Sequence, residues 1–144
     1  MKTLRLIFAS FVAAAVAALV ARPAEPASLL PSYEKVSTAL VADNLPAARE
    51  EARQLATEAA ELHRDDLAIP ARAVAEARDL AAARQSFKAL SSQMVVIARK
   101  QRGFFILHCP MADADWVQST RQVANPYFGQ SMASCGEVTE ETKD

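Results

Sequence analysis

No glycine occurs in the first 102 residues of this 144-residue chain, whereas Gly103, Gly129 and Gly136 all lie in its last third. Residues 28–102 are rich in Ala, Leu, Glu, Gln and Arg and contain few β-branched residues, a composition that favours α-helix. The sequence therefore predicts a helical body followed by a tail of different structure.

Apolar periodicity supports the helical prediction. Between residues 48 and 62, steps of four and three alternate along one stripe, as on one face of a helix. The stripe consists of Ala48, Ala52, Leu55, Ala59 and Leu62. A second stripe, formed by Phe87, Leu90, Met94 and Ile97, lies in the following helical stretch.

The helix boundaries follow from capping and breaking residues. A first helix is predicted over residues 31–42, and Asp43 or Asn44 can cap the next, with Pro46 in its first turn. Two aspartates and a proline predict a break over residues 63–70.

Residues 71–100 are then predicted to be helical, with a weak joint near Arg78 and Asp79. The expected fold class is mainly α, a small antiparallel bundle of three to four helices over residues 28–102.

The N-terminus has the layout of a secretory signal peptide. Lys2 and Arg5 precede an uncharged run from Leu6 to Ala21, and small residues and prolines follow. We predict that residues 1–27 are a leader, that cleavage occurs between residues 21 and 27, and that the mature protein is periplasmic. An uncleaved N-terminal anchor is the alternative; after leader removal no membrane association is expected.

Charge and motif content exclude several functions. The formal net charge of −1, with acids and bases interspersed, provides no basic face for a nucleic acid. The chain contains no phosphate-binding glycine loop and no Ser/His/Asp spacing, so we predict that it is not an enzyme.

The tail, residues 103–144, is predicted to pack on the bundle as part of the same domain. Its FFILH segment suggests a short strand, and NPYFG suggests a tight turn. Trp116, Tyr127 and Phe128 are expected to anchor the tail.

Two short segments of the tail contain soft metal ligands. Cys109 lies two residues before Met111, Met132 lies three residues before Cys135, and His108 adds an imidazole. Thiolates and thioethers bind monovalent copper, and by the same argument silver(I), in preference to hard cations. Zinc is expected to bind less well here, because thioether is a poor zinc ligand. The sequence thus predicts a copper(I) site.

The two cysteines also admit a structural interpretation. Cysteines of an exported protein usually pair, and a bond between Cys109 and Cys135 would stabilise the fold by about 3.5 kcal/mol. In that case the domain would work by binding an envelope partner through a helix face. The two interpretations can coexist.

The tail motifs together resemble a known family. They are similar to a bacterial periplasmic domain of unknown function that is associated with the membrane fusion proteins of copper/silver efflux systems. The resemblance rests, in chain order, on CPMA, Trp116, Gln118, NPYFG, Met132 and CGEV. The pattern ALVADNLPAA in the helical half is similar as well.

The resemblance implies a helical bundle with a C-terminal metal-binding motif that serves copper buffering, resistance or delivery. It places the motif on Cys109, Met111, Met132 and Cys135, with His108 at a position where an aromatic or histidine side chain is common. The implied partners are a heavy-metal efflux adaptor or a periplasmic copper acceptor.

Overall fold

Four helices and a three-stranded sheet make up the computed structural model, which describes residues 25–143. The predicted leader therefore lies almost entirely outside the described residues. The helices are α1 (Leu30–Val41), α2 (Leu45–Glu61), α3 (Asp65–Ala75) and α4 (Leu80–Ala98). The strands are β1 (Phe105–Cys109), β2 (Ala114–Gln118) and β3 (Glu137–Glu141). The mainly helical fold class is confirmed.

Consecutive helices pack against each other, α1 on α2, α2 on α3 and α3 on α4. Asn44 caps α2, since its Oδ1 accepts the Ala47 N–H at 3.0 Å, and Asp79 caps α4 in the same way through the Ala82 N–H at 2.8 Å. A 3₁₀ turn over Pro26–Leu29 precedes α1, and its Leu29 is buried in the core. Within residues 25–143, no helix is both long and apolar enough to cross a bilayer.

The predicted break over residues 63–70 is wrong in extent. Helix α3 begins at Asp65, and Pro70 lies inside it. Acidic residues at Asp65 and Asp66 suit the first turn of a helix, where they meet its unsatisfied N–H groups. The weak joint expected near Asp79 is instead a complete break between α3 and α4.

The tail forms an antiparallel sheet in the order β2-β1-β3. The strand predicted from FFILH is confirmed as β1, whereas β2 and β3 were not predicted. In the β1–β2 register, Leu107 faces Trp116 and Cys109 faces Ala114. Strand β2 packs on α4, and its Val117 N–H donates to the Tyr33 hydroxyl of α1 at 3.3 Å.

One hydrophobic cluster extends from the helices into the tail. The Tyr33 and Phe87 rings stack with centroids 5.1 Å apart, Phe87 meets Tyr127 at 6.0 Å, and Tyr127 meets Trp116 edge-on at 6.0 Å. Tyr127 and Trp116 therefore anchor the tail as predicted.

Candidate functional site: a cysteine pair

Cys109 ends strand β1 and is completely buried. Pro110 begins the turn to β2, and the Asp113 N–H donates to the Pro110 carbonyl at 3.3 Å. The backbone N–H groups of Ala112 and Met111 in this turn act to lower the pKa of the Cys109 thiol.

Cys135 lies on a second turn, just before β3. Its N–H donates to the Met132 carbonyl at 3.0 Å, and its side chain is partly exposed. Gly136 follows with a φ of +129°, and a Cβ there would lie 2.6 Å from the Trp116 ring and 2.9 Å from the His108 carbonyl oxygen. Only glycine allows this turn to lie so close to β1 and β2.

The two turns bring the sulfur atoms of Cys109 and Cys135 to 3.8 Å from each other, with both thiols free. A disulfide bond is about 2.05 Å long, so the sulfurs are near but not bonded. With metal–sulfur bonds of about 2.3 Å, this separation corresponds to an angle of about 110° at a shared ion. Such an angle suits three or four donors better than a linear pair.

The two thiols differ in acidity. Burial acts to raise the pKa of Cys109, but hydrogen bonds to its sulfur from the Ala112 N–H and the Asn125 side chain outweigh that effect and lower it below the ordinary value. Burial raises the pKa of Cys135, and the neighbouring Cys109 sulfur adds to the rise. Cys109 is therefore the first of the pair to become a thiolate.

The methionines belong to the same two turns as the cysteines. Met111 follows Pro110 and is 66% exposed. Met132 is partly buried at the start of the turn that ends in Cys135. Each thioether thus belongs to the turn that holds one thiol.

His108 does not join the cysteines. It precedes Cys109 in β1, where consecutive side chains point to opposite faces, and its Nδ1 lies 2.8 Å from Asp115 Oδ1. Its ring lines a separate cleft, whose walls also include Lys88, Ser92, Val95, Arg99 and Asp113. Across residues 25–143, no group of three or more His, Cys, Asp and Glu side chains is placed to hold a metal ion.

Polar contacts fasten the tail to the helical body beside the site. Arg84 of α4 donates to the carbonyl oxygens of Leu40 and Pro126, each at 3.0 Å, and forms an ion pair with Asp43. Gln130 donates to the Val41 carbonyl at 2.7 Å. The NPYFG segment is therefore bound to α4, and Gln130, which follows it, is bound to α1.

Sequence reasoning missed Asn125, the first residue of NPYFG. Its buried side chain donates to the Cys135 carbonyl at 2.6 Å and accepts N–H groups from Tyr127 at 2.8 Å and Phe128 at 3.3 Å. An Asn before Pro indicates a turn, but the sequence contains no signal for the distant carbonyl that Asn125 bonds.

Comparison with known proteins finds one family, described as "Protein of unknown function (DUF3347)", whose match covers residues 29–103. No curated protein and no solved structure matches the chain significantly. The matched range contains α1 to α4 and ends just before β1, so the cysteine pair lies beyond it.

Proposed function

Because the chain belongs to the DUF3347 family, whose description assigns no function, we propose a function from its own cysteine pair. The protein binds a monovalent copper ion, or silver(I), through Cys109 and Cys135, with one or both of Met111 and Met132 as further donors. It serves to buffer copper or to deliver it to a partner, without a catalytic step of its own.

The observation that supports this proposal is the 3.8 Å separation of two free sulfurs that are 26 residues apart in the chain. Two thiolates at this distance can share one ion without rearrangement of the backbone. Soft sulfur donors favour copper(I) over the hard cations that prefer oxygen ligands.

The angle of about 110° supports a role for the thioethers, because two thiolates alone favour a wider angle at copper(I) than a site with three or four donors. Met111 and Met132 are the sulfur donors adjacent to the pair in sequence. His108, held by Asp115 on the other face of β1, is a weaker candidate than it was from sequence alone.

Transfer of the ion would begin at the accessible side. Cys135 is partly exposed whereas Cys109 is buried, so an incoming ion meets Cys135 and the exposed Met111 before it reaches the buried sulfur. Transfer of the ion to an acceptor would reverse this order by ligand exchange, and Cys109 would be the last ligand to dissociate from the ion.

Location and partners complete the proposal. The leader pattern of residues 1–27 supports export to the periplasm, where a heavy-metal efflux adaptor or a copper acceptor would receive the ion. These partners rest on the resemblance of the tail motifs.

The test is a competition for copper(I) between the reduced protein and a chromogenic copper(I) chelator, performed under argon. The Cys109→Ser, Cys135→Ser double variant should lose binding, and at least one of Met111→Leu and Met132→Leu should weaken it. Met94→Leu is the matched control, because Met94 is buried in α4 and the exchange conserves volume. Undiminished affinity in the double cysteine variant would refute the proposal.

A second candidate function follows from the same sulfur separation, since thiols 3.8 Å apart can also form a disulfide. The bond would secure the tail, and the domain would bind an envelope partner through a helix face. An open apolar groove between α3 and α4, which includes Ile69 with 63% of its surface exposed, favours such a face. Protein isolated from the periplasm would then contain no free thiol and no copper.

A further inference from the structure

We infer that Asn125 is the positioning residue of the cysteine pair, because its side-chain amide and its backbone N–H hold the turn that carries Cys135. The inference deepens the proposed function and rests on it for the identity of the ion. The role of Asn125 in holding the two sulfurs together does not depend on which ion they bind.

Both ends of the Asn125 side-chain amide are bonded. Its Oδ1 accepts the N–H groups of Tyr127 and Phe128, and its Nδ2 donates to the Cys135 carbonyl at 2.6 Å. The amide therefore has one orientation, with its oxygen toward its own turn and its NH₂ group toward the Cys135 turn.

The backbone of Asn125 adds a further link to the Cys135 turn. Its N–H donates to the Ala133 carbonyl at 2.8 Å, two residues before Cys135. Asn125 is completely buried, so water cannot replace these bonds without opening the tail. One residue thus holds the turn of Cys135 at two points.

Two substitutions separate this positioning role from the local turn. Asn125→Asp keeps both acceptor bonds to Tyr127 and Phe128 but faces the Cys135 carbonyl with a carboxylate oxygen instead of an NH₂ donor. Asn125→Ser adds no charge, and its short hydroxyl can still accept a local N–H but cannot reach the Cys135 carbonyl. Both variants should let the Cys135 turn move away from Cys109.

The experiment measures copper(I) affinity together with capture by phenylarsine oxide, a trivalent arsenical that needs two thiols close together. Both variants should weaken copper binding by about 10–100-fold, as does the loss of a group that orients a metal ligand. They should slow arsenical capture by about tenfold on the same reasoning. Asn44→Asp is the matched control, since Asp is an equally good helix cap and Asn44 lies far from the pair in the chain.

Alkylation distinguishes loss of position from loss of fold. In a folded variant, iodoacetamide should modify Cys135 while buried Cys109 stays protected, and urea unfolding should stay cooperative. If either variant meets these folding criteria and retains wild-type copper affinity and arsenical capture, the role of Asn125 is overturned while the proposed function stands. If the wild type binds no copper but the variants lose arsenical capture, the proposed function fails and the role of Asn125 stands.

Discussion

Oxidation of the cysteine pair should stabilise the protein strongly, and the magnitude follows from the chain. Cys109 and Cys135 are 26 residues apart in sequence. Closing a loop of that length removes about 12 cal/mol/K of entropy from the unfolded chain, which corresponds to about 3.5 kcal/mol at 25 °C.

Little of this stabilisation should be lost to strain in the folded state. The sulfurs must approach each other by about 2 Å to reach bonding distance. Cys135 is partly exposed on a turn and can move, whereas Cys109 is confined at the end of β1. We therefore expect the oxidised protein to melt about 10–15 °C above the reduced protein, given the entropy of unfolding of a domain of this size.

The assay is urea unfolding of the reduced and oxidised forms. The Cys109→Ser, Cys135→Ser double variant is the control, because the oxidant should not change its free energy of unfolding. Mass spectrometry should find one intramolecular bond and no dimer. The reasoning would be refuted if the oxidised form were less than about 1 kcal/mol more stable, because the chain-entropy estimate would then not describe this loop. Oxidised protein should also bind no copper(I), since both thiolates are consumed.

Three further predictions concern the packing and charges around the site. Gly136→Ala should weaken copper binding and destabilise the fold, measured by chelator competition and urea unfolding, because the new Cβ would collide with the Trp116 ring. Phe87→Ala should destabilise the protein by about 3–5 kcal/mol in urea, since it leaves a cavity between the rings of Tyr33 and Tyr127. Asp66 has a lowered pKa, chiefly through its hydrogen bond with Arg64. The ionised Asp66 side chain therefore stabilises the folded protein above about pH 4. This contribution is lost as pH falls through the pKa of Asp66 in the folded state. The stability difference between wild type and Asp66→Asn should therefore shrink on acidification, and it should not change between pH 6 and 8 if this reasoning holds.

The helical half was predictable because its determinants are local. The cap at Asn44 and the proline after it define the start of α2 within a residue of the prediction. The misplaced boundary at Pro70 shows where local rules fail, because the bond that a proline in the middle of a helix removes is offset by the packing of α3 against two neighbours. Packing of that kind is not encoded in the residues next to the break.

The tail was predictable only in part, since its strands pair over long distances in sequence. Strand β1 has the apolar, aromatic composition of a strand, whereas β3 is the acidic segment EVTEE and lies at an edge of the sheet. The candidate ligands Cys109 and Cys135 could be selected by their chemistry. Their separation could not, because it depends on the turn at Gly136 and on the hydrogen bonds of Asn125.

The position of the family match raises the question of what the helical half contributes to a site that lies beyond it. The rings of Tyr33 and Phe87 belong to α1 and α4, and they continue without interruption into Tyr127 and Trp116 of the tail. Trp116 in turn packs against Gly136, the residue after Cys135. A change in the helical core can therefore alter the separation of the two sulfurs without touching either cysteine, and conservative core variants such as Phe87→Leu should weaken copper binding in proportion to their loss of stability. If such variants lost stability and kept full affinity, the tail would hold its sulfurs independently of the helices.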